Sequence, residues 1–219
     1  MSLGDPLNLI LMLPPLLFAL TVHEWSHGYV ALRLGDPTAR LLGRLTLNPI
    51  AHLDPIGSIL FFLPPHIGWA KPVPVDYRYL KHPRRDMMWI AAAGPFSNLV
   101  LALLFGIVLQ WLVTAGLMRG LAPAGTATAL AKMVSYAVYL NLGLMAFNLI
   151  PIFPLDGSRI LSGLLSPTLA LRYRTLEPVG PFLLLGVMVL GSFSGFNPIA
   201  AVVSPVVFGL GGLFTGGLL

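Results

Sequence analysis

Uncharged stretches long enough to cross a bilayer alternate with one stretch that is dense in charge. Residues 7–32 contain no Asp, Lys or Arg and only His23, Glu24 and His27 as acidic or imidazole groups, and Pro14 to Arg33 alone is 20 residues. That length suffices for about 30 Å of hydrocarbon. The pattern predicts a first helix over about 8–33, with Pro14 and Pro15 starting or kinking it. Residues 34–86 are rich in Pro and Arg and read as a loop between helices. Inside it, SILFFLPPHIGWAKPVPV (58–75) is apolar but too short and too Pro-interrupted to span. Short strands dipping toward the membrane interface are expected there. Further helices are predicted over 87–117, with a kink at Gly94-Pro95, over 133–155, and over 178–193. After the break GSFSGFNP, the run 197–215 could span, re-enter or lie in the interface. The expected fold is an all-α polytopic membrane protein, one domain over 1–219. It is a bundle of four to five transmembrane helices with a short cytoplasmic-side β-strand or re-entrant loop between the first two.

Composition agrees. Of 219 residues, 56% are hydrophobic and 10% charged, against about 25% charged in soluble domains. The segment MSLGDPLNLI has neither Lys nor Arg and no small-residue cleavage site, so a retained helix is expected rather than a signal peptide. With no cysteine, disulfides and thiolate metal sites are excluded, and any metal must use His, Asp or Glu.

The net charge of +5 would raise nucleic-acid binding in a soluble protein. Here alternating helices put Arg33, the seven basic residues of 34–86, Arg159, Arg172 and Arg174 on one side, with Arg119 and Lys132 on the other. The positive-inside rule then places the long loop in the cytoplasm and the N-terminus outside. The basic balance follows from membrane orientation, and no nucleic-acid partner is implied.

The chemistry concentrates in His23-Glu24-Trp25-Ser26-His27, an HExxH pattern. Histidines at i and i+4 share one helix face and can reach one Zn²⁺, while Glu24 sits beside the metal, placed to take a proton from bound water. Alone the pattern is weak. Its setting strengthens it, because three ionisable residues in one turn of an apolar helix are costly unless partnered. His27 lies six residues before Arg33, hence about 9 Å inside the cytoplasmic helix end. A catalytic zinc site usually takes three protein ligands. Asp156 is the only acid between Asp86 and Glu177, and alternation returns the end of the third helix to the depth of the histidines. A Pro-Leu-Asp-Gly turn is the bland reading of Asp156; matched depth favours the ligand.

HEWSH, NPIAHLDPIG (48–57), GWAKPVPV (68–75), AAGPFSN (92–98) and FNLIPIFPLDGSRIL (147–161) occur in that order. Together they resemble the site-2 protease family of intramembrane zinc metalloproteases, over about residues 14–175. The element Asn148 to Gly157, Asn-x-x-Pro-x-x-Pro-Leu-Asp-Gly, is far more specific than HExxH. The resemblance implies one Zn²⁺ per chain held by His23, His27 and Asp156, Glu24 as general base, and an active site toward the cytoplasm. Implied partners are transmembrane-helix substrates in the lipid bilayer. The PDZ and CBS domains of other branches have no counterpart here, so a minimal member is expected. Its regulation is then absent or supplied by a second copy or a regulatory membrane partner.

His52, in a Pro-bounded loop, is a candidate to steady an oxyanion if the loop folds over the metal. Asn148 is a similar candidate, and Asn98 a candidate for interhelical or substrate hydrogen bonds. His66 and His82 read as bystanders. A helical substrate hides its carbonyls in its own hydrogen bonds, so an edge strand within 56–75 is expected to pair with an unwound substrate. The rival readings are a metal-ion transporter and a non-proteolytic metal-binding membrane protein. A transporter predicts polar residues spread over several helices or a His-rich loop, and neither is present.

Overall fold

The computed structural model describes residues 6–62, 68–114, 124–193 and 195–218. Among the described residues four helices are long and apolar enough to cross a membrane: α1 (Pro6–Arg33), α4 (Pro83–Thr114), α5 (Ala124–Asn148) and α9 (Pro198–Thr215). Between α1 and α4 lie two short helices, α2 (Thr38–Leu41) and α3 (Pro55–Phe62); α6 (Asp156–Leu164), α7 (Pro167–Arg174) and the apolar α8 (Gly180–Phe193) follow α5. At 14 residues, α8 is about 21 Å long, short of the hydrocarbon thickness. The open question of 197–215 is answered by a continuous helix, capped where the Asn197 side chain accepts from the Ala200 N–H at 3.0 Å.

The helix α4 is central and packs along α5, α1 and α6. Ala102 on α4 meets Val138, Leu142 and Met145 on α5 and Val207 on α9. Gly106 lets the α9 backbone approach, since a Cβ there would lie 2.6 Å from the Phe214 carbonyl oxygen. Nearer the loop, Ala31, Leu80, Met87 and Ile90 tie α1 to α4. Outward faces stay apolar: Leu104, Ile107 and Trp111 on α4, Phe182 and Leu190 on α8, and Phe208 and Leu213 on α9 are all more than half exposed. So continuous an apolar surface belongs in lipid.

The helix α1, Pro6–Arg33, lies close to the expected 8–33 and passes through Pro14 and Pro15, which therefore do not start it. The bounds of two other helices are corrected. Asp86 accepts from the His82 N–H at 2.8 Å and Pro83 opens the first turn, so α4 starts earlier than 87. The third helix starts at Ala124, ahead of Lys132, and ends at Asn148 rather than 155. Pro151 and Pro154 supply no N–H to continue it, and the chain turns before α6 begins at Asp156. Asp156 therefore opens a new helix instead of closing the third, where its charge suits the helix dipole. A Cβ on Gly157 would fall 2.3 Å from the Leu149 carbonyl, so that restart packs tightly on the turn.

The expected strand in the loop is absent among the described residues; an isolated bridge joins Leu53 to Ala70. Asp54 caps α3, its side chain accepting from the Gly57 N–H at 2.8 Å, which makes 55–62 helical. The extended stretch 68–76 spends its amides elsewhere. Lys71 N–H donates to the His52 carbonyl at 2.8 Å, Val73 N–H to Glu24 at 2.8 Å, and Asp76 N–H to buried Asp36 at 2.7 Å. The Arg78 guanidinium holds Asp76 down to about 2 at the end of this stretch. Residues 63–67 with His66, helix end 115–117 and Arg119 lie outside the described residues.

Candidate metal centre

One turn of α1 carries His23 and His27, both buried, and their Nε2 atoms are 3.0 Å apart. The start of α6 brings Asp156 Oδ2 to 3.2 Å from His23 Nε2 and 3.4 Å from His27 Nε2. The three ligand atoms lie within 4.8 Å of one another.

The far sides of the rings decide what the near sides offer. His27 Nδ1 is 2.7 Å from the Ile90 carbonyl. A carbonyl only accepts, so the proton sits on Nδ1. The His23 tautomer is set through two amides. Asn141 Nδ2 donates to the Ala137 carbonyl at 2.8 Å, which fixes the Asn141 amide. Its Oδ1 accepts from Asn98 Nδ2 at 2.9 Å, which fixes Asn98. Asn98 Oδ1 then accepts from His23 Nδ1 at 2.6 Å. In their neutral forms both imidazoles turn bare Nε2 lone pairs toward the same point.

Asp156 Oδ2 is buried there without a hydrogen-bond donor aligned on it, close though the rings are. Two lone pairs and a carboxylate converging with no proton between them repel one another; a cation relieves that. Two imidazole nitrogens and one carboxylate oxygen are a ligand set that zinc takes in catalytic sites, so the residues fit the metal. Gly94 of α4 makes room, because a Cβ there would lie 2.5 Å from His27 Nε2.

A cavity of about 350 Å³ opens on these atoms, and Glu24, Val73, Tyr77, Asn148 and Arg159 also line it. Glu24 Oε2 accepts the Val73 N–H at 2.8 Å, which aims the carboxylate beside the histidine pair.

The profile of Peptidase family M50 matches residues 11–186. The chain belongs to peptidase family M50. It is 44% identical over 180 residues to "Putative zinc metalloprotease YwhC" of Bacillus subtilis, covering 81% of this chain and 80% of that protein. It is 31% identical over 182 residues to "Putative zinc metalloprotease Rip2" of Mycobacterium tuberculosis, covering 80% of this chain and 63% of that one. No solved structure gives a significant match. M50 is the site-2 protease family that the motif order resembles.

Not every candidate meets the centre of this M50 peptidase. Asn148 lines the cavity, its Nδ2 donating to the Leu144 carbonyl at 3.0 Å. Asn98 touches a histidine instead of the cavity. His52 is absent from the cavity lining; its Nε2 is 2.8 Å from the Thr46 carbonyl and it packs within the loop. His82 serves through its backbone. Sequence reasoning overlooked Asn141 and the Ile90 carbonyl. The cost of an unpartnered amide in an apolar helix is a signal that could have found Asn141.

The amide chain makes a prediction. Asn98→Leu keeps the volume roughly and removes the acceptor that orients His23. Zinc affinity is expected to fall about 10- to 100-fold, with Asn141→Leu changing it in the same direction by less. Competition with a fluorescent zinc chelator measures both, and unchanged affinity in Asn98→Leu would refute the orienting role.

Proposed function

We propose that this M50 peptidase is an intramembrane zinc metalloprotease that hydrolyses peptide bonds within or near transmembrane helices of membrane-protein substrates. The observation that carries the reading is the convergence of His23, His27 and Asp156 within 4.8 Å, two of them on a helix long and apolar enough to span a membrane. The positive-inside distribution of Arg and Lys supports an active site toward the cytosol and an N-terminus outside.

His23, His27 and Asp156 would hold one zinc. The metal, when bound, supplies Lewis acidity toward water and toward a peptide carbonyl. Glu24 takes the proton that water must lose and returns it to the leaving amine. The Val73 N–H keeps that carboxylate facing the cavity. Asn98, through Asn141, holds His23 in the ligating tautomer. Asn148 offers hydrogen bonds to substrate backbone from the cavity wall. About 350 Å³ admits several waters beside a peptide strand.

The test is metal removal. The protein is reconstituted in vesicles with a single-span substrate, then treated with a zinc chelator. Cleavage is expected to stop and to return on adding zinc, with one zinc bound per chain by elemental analysis. Mass spectrometry of the products is expected to place the cut within or next to the span. Cleavage indifferent to chelation would sink the proposal. So would zinc crossing the vesicle membrane without any proteolysis, which is the transporter's signature.

A further inference from the structure

A second cavity of about 440 Å³ lies between the start of α4, α6 and α7. Three arginines line it: Arg84 on α4, Arg159 on α6 and Arg174 at the end of α7. Among the described residues the only carboxylate in its wall is Glu177, 4.0 Å from Arg174. Among the described residues neither Arg84 nor Arg159 has an ion-pair partner. Two net positive charges therefore face the space. Tyr77 and Ser162 add hydroxyls, and Arg159 already contacts the Tyr77 hydroxyl. The remainder of the wall is apolar, with Met87, Phe153 and Leu171.

We propose that this cavity binds the phosphate of an anionic phospholipid, with an acyl chain lying along its apolar wall. Guanidinium groups with hydroxyl neighbours recognise phosphate oxygens, and basic pockets at the cytosolic ends of membrane helices suit anionic headgroups. Free phosphate would need only the charged part. The surroundings favour a lipid, because Leu171 in the cavity wall is 68% exposed, and Leu164, Leu169 and Val179, within two positions in sequence of the lining residues Ser162, Ala170 and Glu177, are exposed as well. A substrate flank fits less well, since cytosolic flanks of membrane helices are enriched in Lys and Arg and would be repelled. The proposal rests on the cytosolic placement given above. Tyr77, Met87 and Arg159 line both cavities, so the headgroup would border the proteolytic site.

The test counts lipids on the full chain by native mass spectrometry after exchange with phosphatidylglycerol and phosphatidylcholine. Wild type is expected to hold one phosphatidylglycerol with about a thirty-fold preference, at roughly five-fold for each net charge. The pair Arg84→Gln and Arg174→Gln, both outside the proteolytic cavity, should bring the preference to about parity. Arg84→Lys with Arg174→Lys should keep most of it, which separates charge from folding. Equal retention of the two lipids by wild type overturns the proposal. Displacement of the lipid by inorganic phosphate at matched concentration also overturns it, in favour of a free-anion site. Displacement by an acidic peptide overturns it in favour of a substrate subsite. Zinc-dependent cleavage measured on the same preparations keeps the two readings apart. Its loss from wild type with lipid preference intact sinks the protease and leaves this site standing.

Discussion

Replacing Glu24 by Gln is expected to lower the cleavage rate by about a thousandfold, within the range a positioned general base contributes, while one zinc per chain remains bound. The glutamine keeps the length and shape of the side chain. Its carbonyl oxygen can still accept the Val73 N–H now 2.8 Å from Glu24 Oε2, so the extended stretch 68–76 should hold its place. What disappears is the ability to take up a proton. Glu24 is not among the converging ligand atoms of His23, His27 and Asp156, so zinc content should match wild type by elemental analysis. Glu24→Asp is a useful companion. It keeps the acid but withdraws it by one methylene from Val73 and the cavity, and an intermediate rate is expected. Equal rates in wild type and Glu24→Gln would remove Glu24 from proton transfer. Loss of zinc together with activity would instead make it structural.

How much of this was legible in the sequence depended on the range of the interactions. The membrane spans were, because an uncharged run of about 20 residues has few alternatives to a bilayer helix. His23 and His27 were, because their proximity is fixed by one helical turn. Asp156 could be paired with them by depth, since intramembrane acids are few, but its place at the head of α6 was not. That depended on Pro151 and Pro154 ending α5 together, in a stretch whose apolar residues read equally well as continuing helix. The start of α5 was hidden because Lys132 and the Gly and Thr near 125 resemble a loop. The strand expected in 56–75 failed for a long-range reason. The acceptors for its Val73 and Lys71 amides are the Glu24 side chain and the His52 carbonyl, and Asp36 takes the Asp76 amide just beyond it, all in other parts of the chain. No local pattern of apolar and Pro residues reveals such partners. Asn141 was legible in principle as a costly amide in an apolar helix, yet its partner 43 positions away could be named only in three dimensions.

Gly94 contacts both histidines without being able to bind metal, which gives it a large and selective expected effect. Gly94→Ala should lower zinc affinity by about a hundredfold or more, at or beyond the upper end for residues that support metal ligands. The apo protein should stay folded. The added Cβ would lie 2.5 Å from His27 Cε1 and Nε2 and 2.6 Å from His23 Cε1, distances that real side chains essentially never show. Each ring is tethered at its far nitrogen. His27 is tied at Nδ1 to the Ile90 carbonyl at 2.7 Å, and His23 to Asn98 at 2.6 Å. Relief comes from rotating the rings off those bonds or from opening α4 away from α1, and both spoil the convergence on Asp156. Helix propensity works the other way, since Ala is favoured over Gly by about 1 kcal/mol inside a helix. The melting temperature of the zinc-free variant should therefore stay near that of wild type while the metal is lost. Gly143→Ala is the control: among the described residues nothing beyond its own helix backbone approaches within 4 Å of a Cβ built there, and zinc binding should be unchanged. Zinc titration followed by chelator competition reads all three proteins. A Gly94→Ala protein that binds zinc as wild type does would show that the ligand cluster can form without the close approach of α4.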